Sequence, residues 1–579
     1  MSITREQIWA PLPNTQRAKT THLSYDSKND RIAYPSGKSI FIRSVSNPSN
    51  SIQFINHNHN TTVAKFSPSG NYIASGDESG NVKIWDTISD DLILKGEYQI
   101  LNGPINDISW DSESKRIIAV GNGKELYGHA FTWDSGNSIG EISGHSAQIN
   151  AVTIRPVRPY RAATVSDDSA LVFYHGPPFR FDSSLRGHHT NFIRDVKFSP
   201  NGEFLVSVGM DKLIVLYDGK SGEYIKKWKG NEGGILSVNW VNNEEFVTSS
   251  TDSTIKLWKA STEELIKSWE FEKTIDLQQV GVIPTKDYII SLSFNGDLNY
   301  LSLDSSTPIK VLKGHQKSIT SSIIHNDKLI TGSYDGKIVE WSLNGESKEL
   351  KSHSNLIVGL DEINDEIFST GWDDKLKSLT KDLEISLEKQ PKSTSSTKDL
   401  LTILTEDEIF GYSSTGDLKL QSKLPSTAIV IGSSSKFITI GYQNNLVKVY
   451  SSTFDHIFDI TIRAQPSYLS ISPNEQYLAI GDNSGKIILY NLETKELVTS
   501  RWAFHTAKIN SISWRDNNYI VSGSLDTNVI IYQVEKPVKN IKFFGAHKDG
   551  VNFVKWIGEN EIVTGGNDST VKKFKVTFP

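Results

Sequence analysis

Leu329-Ile-Thr-Gly-Ser-Tyr-Asp335-Gly-Lys-Ile-Val-Glu-Trp341 is one copy of a pattern that recurs along the whole chain. Two further copies are Tyr519-Ile-Val-Ser-Gly-Ser-Leu-Asp526-Thr-Asn-Val-Ile-Ile-Tyr532 and Glu561-Ile-Val-Thr-Gly-Gly-Asn-Asp568-Ser-Thr-Val-Lys-Lys-Phe574. Each copy has a β-branched run, a turn rich in Gly, Asn or Asp, and a second β-branched run that ends in an aromatic residue. That pattern predicts two antiparallel strands. A period of about forty residues indicates a repeat architecture rather than a single large core.

The copies resemble the WD repeat, whose period of roughly 40–45 residues is the signature of a β-propeller. Aligning the copies on their turns places the last core residue of fourteen modules at Ile42, Trp85, Trp133, Tyr174, Tyr217, Trp258, Leu301, Trp341, Leu379, Gln421, Tyr450, Tyr490, Tyr532 and Phe574. Known propellers carry about four to eight blades in a ring. The chain is therefore predicted to be all-β, with two seven-bladed WD-repeat propellers.

The strand count predicts how each ring closes. Residues 17–312 are expected to form the first propeller, and Pro308-Ile-Lys-Val-Leu312 can supply the outer strand of its last blade. Residues 313–579 are expected to form the second propeller, but its last blade ends at a third strand, Val571 to Val576. Residues 1–16, with Arg5-Glu-Gln-Ile-Trp-Ala10, are predicted to supply the missing outer strand, so that the N-terminal strand closes the second ring. This pairing also covers an exposed strand edge.

Composition narrows the class of protein. The 579 residues are 37% hydrophobic and 22% charged, with a formal net charge of −6 and no cysteine. These values are typical of a globular protein, and the absence of a basic cluster argues against a nucleic-acid partner. Without cysteine there are no disulfides, thiolate metal sites or cysteine nucleophiles. No signal-peptide core and no apolar run of about 20 residues is found, so an intracellular protein without membrane insertion is expected.

Histidine, serine or threonine, and aspartate recur together within the modules. Examples are His315, Thr331 and Asp335, or His505, Ser522 and Asp526. A trio of these residue types can form a hydrolase triad, but one that repeats from module to module is a structural hydrogen-bond chain. The pair His57-Asn-His59 is a weak metal candidate that more simply supplies such a structural histidine. We therefore predict no enzyme activity, no catalytic residue, no metal and no cofactor.

Departures from the repeat mark a candidate binding surface in modules three to five. Ser166-Asp-Asp-Ser169 carries one carboxylate more than the structural chain needs, so Asp167 is either a solvated turn residue or part of a site. His175-Gly-Pro-Pro-Phe-Arg-Phe181 replaces a polar connection, and its phenylalanines either pack under a blade edge or form a protein-binding patch. The loop that carries Glu125 is longer than its counterparts. Glu125, Asp167 and Phe192 are expected to gather on one face, where carboxylates beside exposed aromatics favour a protein partner.

The whole chain resembles the family of actin-interacting WD-repeat proteins that assist cofilin. The resemblance rests on fourteen modules and on specific stretches: Ile8-Trp-Ala-Pro-Leu-Pro-Asn-Thr-Gln-Arg17, Ser166-Asp-Asp-Ser169, Gly176-Pro-Pro-Phe-Arg-Phe181 and His189-Thr-Asn-Phe192. It implies a non-catalytic monomer of the cytoplasm and cortical actin cytoskeleton. Such a protein binds filaments decorated with cofilin, promotes their disassembly and restrains regrowth at their ends. By motif, the family's actin-binding residues correspond to Glu125, Asp167, Phe181 and Phe192. A general double-propeller scaffold for another multiprotein complex is the alternative.

Overall fold

The computed structural model describes residues 2–89 and 91–578, and the secondary structure of this part of the chain is β-strand throughout. The strands form fourteen four-stranded antiparallel sheets, which confirms the predicted all-β fold of two seven-bladed propellers. Each sheet is a blade, and we number the blades 1 to 14 along the chain. In the described residues no helix has the length and hydropathy needed to cross a bilayer.

The chain divides into two compact units. One is Leu12–Gln316, and the other combines Met1–Pro11 with Lys317–Pro579. The first unit holds blades 1 to 7, with these strands: Ser24–Asp26, Arg31–Ser36, Ser39–Ser44 and Ser51–Phe54; Thr61–Phe66, Tyr72–Asp77, Asn81–Asp86 and Leu94–Gln99; Ile105–Trp110, Arg116–Gly123, Leu126–Thr132 and Ser138–Glu141; Ile149–Ile154, Arg161–Ser166, Leu171–His175 and Arg180–Leu185; Ile193–Phe198, Phe204–Gly209, Leu213–Asp218 and Tyr224–Lys229; Ile235–Trp240, Glu245–Ser250, Thr254–Lys259 and Glu264–Glu270; Gln279–Pro284, Ile289–Ser293, Leu298–Leu301 and Lys310–Leu312.

The second unit holds blades 8 to 14. Their strands are: Ile319–His325, Lys328–Ser333, Ile338–Trp341 and Ser347–Glu349; Ile357–Ile363, Glu366–Gly371, Lys375–Ser378 and Glu384–Ser386; Ser393–Ser396, Leu401–Leu404, Glu408–Tyr412 and Leu418–Lys423; Ala428–Ser433, Phe437–Tyr442, Leu446–Ser451 and His456–Thr461; Pro466–Ile471, Tyr477–Asp482, Ile487–Asn491 and Leu497–Trp502; Ile509–Trp514, Tyr519–Ser524, Val529–Gln533 and Asn540–Phe543; Val551–Trp556, Glu561–Gly566, Val571–Thr577 and Ser2–Trp9.

The first strands of successive blades lie side by side and form the inner wall of each ring. Asparagine side chains join neighbouring first strands: Asn150 Nδ2 donates to the Ile193 carbonyl at 2.8 Å, between blades 4 and 5. The same bond from Asn552 to the Ile319 carbonyl, also 2.8 Å, closes the second ring between blades 14 and 8. In the first ring, the Lys286 amide of blade 7 donates to Tyr25 Oη of blade 1.

The second ring is closed by the N-terminal strand, as the fold prediction required. Ser2–Trp9 pairs antiparallel with Val571–Thr577 as the outermost strand of blade 14. Trp9 is buried, and its ring stacks on Trp341 of blade 8 with 5.7 Å between centroids. The strand therefore contributes side chains to the core between the last and first blades of its ring, in addition to backbone hydrogen bonds.

The alignment of the repeat copies is wrong in module ten. Gln421 was expected to end a third strand, but it lies in the outer strand Leu418–Lys423, and the third strand is Glu408–Tyr412. This module lacks both the histidine and the terminal aromatic residue that mark copies such as the one from His505 to Tyr532. The misplacement makes the interval from Gln421 to Tyr450 short and predicts a reduced outer strand in blade 11, but that strand, His456–Thr461, is complete.

Candidate protein-binding surface

We call the upper face of a ring the side formed by the turns between second and third strands and by the links that lead into the first strands. A backbone bond ties these two segments together in most blades. The Asp167 amide donates to the Gln148 carbonyl at 3.2 Å in blade 4, and the Met210 amide donates to the Phe192 carbonyl at 2.9 Å in blade 5. The turn that carries Asp167 and the link that carries Phe192 therefore lie on the upper face of neighbouring blades.

Buried histidines hold the upper-face turns in place. In blade 4, His145 Nδ1 bonds Asp168 at 3.1 Å while its Nε2 bonds Thr164 at 2.8 Å. The same pairing occurs at His57–Asp77, His189–Asp211, His353–Asp373, His505–Asp526 and His547–Asp568. Burial alone raises the pKa of the Asp168 carboxyl, but the His145 and Ser146 hydrogen bonds hold that pKa well below its usual range. The arrangement is structural, and His57 belongs to it.

Asp167 is not a solvated turn residue. Its carboxylate accepts hydrogen bonds from Gln148 Nε2 at 2.6 Å and Asn150 Nδ2 at 2.9 Å, both in its own blade. It also forms an ion pair with Arg194 Nη1 of blade 5 at 3.2 Å. Only 17% of the Asp167 side chain is exposed. The carboxylate that departs from the repeat thus fastens the upper face of blade 4 to that of blade 5.

Arg194 joins Asp167 to Phe192, although no sequence motif singles it out. Its guanidinium carbon lies 5.2 Å from the centre of the Phe192 ring, within cation–π range. Burial lowers the pKa of Arg194 below its usual value, and the Asp167 carboxylate opposes that shift. Phe192 itself is 42% exposed. An aromatic ring is therefore held at the surface by a largely buried charged pair beneath it.

The two phenylalanines after blade 4's third strand have different environments. Phe179 is 1% exposed and belongs to the core between blades 3 and 4, whereas Phe181 is 49% exposed. The Phe181 ring lies against Gly144, where a Cβ would come within 2.8 Å of it; Gly144 also has a φ of +106°. The packing interpretation is thus right for Phe179, whereas the role of the exposed Phe181 in a protein-binding patch stays a prediction. Phe181 lies beside the link that leads to His145, apart from the Arg194 contacts.

Glu125 occupies a tight hairpin rather than a long loop. The second strand of blade 3 extends to Gly123 and the third begins at Leu126, so Lys124 and Glu125 form a two-residue turn. Lys124 has a φ of +70°, and Glu125 and the neighbouring Leu126 are exposed. The extra residues therefore lengthen a β-hairpin on the upper face of blade 3. The structure brings Asp167 and Phe192 together, while Glu125 and Phe181 occupy the neighbouring blade and the side of blade 4.

One buried cluster has atoms close enough to suggest a metal site. Ligand atoms of His22, Asp107 and Asp195 lie within 4.8 Å of one another. However, Lys65 Nζ is 3.3 Å from Asp107 and Lys197 Nζ is 2.9 Å from Asp195. Two ammonium groups already balance the two carboxylates, so the donor set does not fit a metal cation. His22 is buried within this charged cluster, with its Nε2 3.9 Å from Asp107 Oδ2.

Known proteins show the same repeat. The family model described as "WD domain, G-beta repeat" matches residues 49–86, 180–218, 222–259, 306–342, 497–533 and 538–575. An uncharacterized WD repeat-containing protein of Schizosaccharomyces pombe is 39% identical over 89% of both chains. Actin-interacting protein 1 of Drosophila melanogaster is 33% identical over 89% of this chain and 88% of its own.

A further relative, WD repeat-containing protein 1 of Xenopus tropicalis, is 33% identical over 89% of both chains. The similarity to these relatives therefore extends across both propellers, well beyond a single group of blades. This chain belongs to the family of WD-repeat proteins that includes Actin-interacting protein 1 and WD repeat-containing protein 1.

Proposed function

We propose that this protein binds actin filaments that carry cofilin, promotes their disassembly and restrains regrowth at their ends. The observation that carries the proposal is the similarity to Actin-interacting protein 1 across nearly nine-tenths of both chains. The cofilin-dependent part of the activity rests on the resemblance in the stretches around Trp9, Asp167 and Phe181. The protein would act as a monomer in the cytoplasm, on the actin cytoskeleton and its cortical structures.

The proposed contact on the first propeller is the upper face of blades 3 to 5. Phe192 supplies an exposed aromatic anchor whose ring lies over the Arg194 guanidinium, and Asp167 holds that guanidinium in place. Phe181 supplies a second exposed ring on the side of blade 4, and Glu125 supplies a carboxylate at the tip of the blade 3 hairpin. Anchors of this kind dominate protein interfaces, each contributing on the order of 2 kcal/mol. We therefore propose Glu125, Phe181 and Phe192 as contacts with actin, and Asp167 as the residue of the set that positions Phe192.

The proposed mechanism is binding without bond-making chemistry. A protein that binds the cofilin-altered form of a filament more tightly than the bare form shifts the filament population toward the altered form. Weak contacts from several blades on one chain can act together through a high effective concentration. Histidine–aspartate pairs recur in at least six blades as turn supports, so the arrangement that resembles a hydrolase site has a structural use.

The proposal is tested by sedimentation of the purified chain with actin filaments, with and without cofilin. We expect the chain to pellet with filaments, and to do so more strongly when cofilin is present. Equal amounts in the pellet with and without filaments would refute actin binding, and an unchanged pellet on adding cofilin would refute the cofilin dependence.

A further inference from the structure

A short segment of the chain is held on the upper face of the first propeller by several of its blades. The Asn14 amide donates to the Pro35 carbonyl of blade 1 at 3.1 Å, and the Thr21 amide donates to the Val280 carbonyl of blade 7 at 3.0 Å. Thr20 Oγ1 donates to the Leu236 carbonyl of blade 6 and lies 3.5 Å from the Arg194 carbonyl of blade 5. Residues 14–21 are therefore held by four blades of one ring.

The anchoring points lie at the upper ends of their strands. Pro35 is near the end of a second strand, and Thr15 Oγ1 bonds the carbonyl of Phe294, which follows the second strand of blade 7. Val280, Leu236 and Arg194 are second residues of first strands. The part of the segment between these anchors, Gln16 to Lys19, is consequently a turn on the upper face, the face that carries Phe192.

This turn presents two cations from a fixed backbone. The Lys19 amide donates to the Gln16 carbonyl at 3.2 Å, and Ala18 has a φ of +57°. Gln16, Arg17 and Lys19 are exposed. Among the described residues, neither Arg17 nor Lys19 has a carboxylate partner within ion-pair distance, whereas the nearby Arg194 is already paired with Asp167. Two positive charges without a carboxylate partner among the described residues thus lie on the upper face. The turn that carries them is joined to the Arg194 carbonyl through Thr20.

We infer that the Gln16–Lys19 turn is a basic contact of the docking surface and binds a carboxylate-bearing segment of the actin target. The inference rests on the proposed function and adds residues outside the set that the sequence indicated. Arginine binds carboxylates through two parallel hydrogen bonds, and lysine adds a point charge. Because the turn and the Phe192 ring lie on the same upper face, they fit a target surface that presents both acidic side chains and an apolar spot. Charges at the rim of an interface mainly raise the association rate and the sensitivity to salt.

The test is a double charge reversal, Arg17→Glu with Lys19→Glu, in the full chain. We expect filament binding in the presence of cofilin to weaken about tenfold at low ionic strength, a loss of about 1.4 kcal/mol. The variant's binding should also fall less with added salt than that of the wild type. The neutral pair Arg17→Gln and Lys19→Gln should lie between the two. Melting temperature should stay unchanged, because the anchors of the turn are backbone atoms and threonine hydroxyls.

The matched control reverses two exposed lysines on the opposite face of the same propeller, Lys220→Glu with Lys286→Glu. This control should bind as the wild type does. If the turn variant binds like the control while Phe192→Ala weakens binding, the inference fails and the proposed function stands. If the wild type does not bind filaments, the proposed function fails as well. Equal filament binding, combined with loss of binding to anionic phospholipid vesicles, would assign the turn to a membrane surface and overturn the inference.

Discussion

At the scale of single residues, Arg194 changes the interpretation of the site. The Asp167 carboxylate accepts hydrogen bonds from Gln148 and Asn150 and pairs with Arg194. Arg194 in turn contacts the Phe192 ring. Asp167 is thus a positioning residue for an aromatic contact, and its carboxylate is largely unavailable to a partner. The sequence does contain a signal: the second residue of a first strand is Thr62, Asn106 or Asn150 in the preceding blades, and arginine here departs from that pattern.

A double-mutant cycle tests this positioning role. Asp167→Asn should weaken filament binding because it releases Arg194 from beneath the Phe192 ring, and Phe192→Ala should weaken it by about 2 kcal/mol. Residues that act through one another show coupling of about 0.5–3 kcal/mol. We expect the double variant to bind no worse than Phe192→Ala alone, as measured by sedimentation.

Arg194→Met supplies the matched variant, because it keeps an unbranched side chain and removes the charge and the stacking plane. It should reproduce the effect of Asp167→Asn. Strictly additive losses for Asp167→Asn and Phe192→Ala would show instead that the Asp167 carboxylate contacts the partner directly.

At the level of strands, the N-terminal strand pairs with the strand that is farthest from it in sequence. Ser2–Trp9 completes a sheet whose other strands begin at Val551, and it buries Ile8 and Trp9 in the process. Removing a buried tryptophan typically costs about 3–5 kcal/mol. The strand therefore connects the stability of the last blade to the first residues of the chain.

Trp9→Ala should selectively destabilise the second ring. We expect faster amide hydrogen exchange in Val551–Trp556 and Glu561–Gly566 of blade 14, and in blade 8, where Trp341 loses its stacking partner. Blades 2 to 6 should exchange as in the wild type. Faster exchange confined to the first propeller would contradict the assignment of this strand.

The buried cluster around His22 predicts a pH dependence for the first ring. Burial lowers the pKa of His22 from 6.5 to about 4, although Asp107 opposes the shift. Lys65, Lys197 and Asp195 complete its charged surroundings. Because the unfolded chain binds a proton between these pH values and the folded chain does not, this contribution to stability is complete above pH 6.5. It declines as the pH falls toward about 4.

Urea unfolding followed by hydrogen exchange in Ile105–Trp110 and Ile193–Phe198 measures this effect. The urea midpoint should fall between pH 7 and pH 5 in the wild type, and it should fall less in His22→Asn. An equal decline in both proteins would show that His22 is not the titrating group.

Features that depend on a local sequence pattern could be predicted, whereas features that depend on tertiary packing could not. Strand pairing within a module is local, so blades with a histidine and a terminal aromatic, such as the one ending at Trp341, were placed correctly from the pattern. Module ten lacks both markers, and Gln421 was placed one strand too far along. Phe179 and Phe181 have the same side chain and differ only in tertiary packing, which no local pattern encodes.

At the scale of the whole molecule, the repeat builds two propellers, and its departures mark one proposed surface. The His–Asp supports are spread over many blades, whereas the Asp167–Arg194–Phe192 chain joins only blades 4 and 5. The extended hairpin of blade 3 and the Gln16–Lys19 turn share the upper face of that ring. Binding energy is thus expected to come from a few departures from the repeat, on a scaffold that remains intact when they are replaced.

Actin binding by the upper face of blades 3 to 5 is tested most directly by imaging single actin filaments decorated with cofilin. The proteins compared are the wild type and the double variant Asp167→Ala with Phe192→Ala. The wild type should accelerate filament loss well beyond cofilin alone. The double variant should fall to nearly the rate of cofilin alone while remaining folded by melting temperature. Filament loss at the wild-type rate with the folded double variant would refute the proposal that the upper face of blades 3 to 5 binds actin.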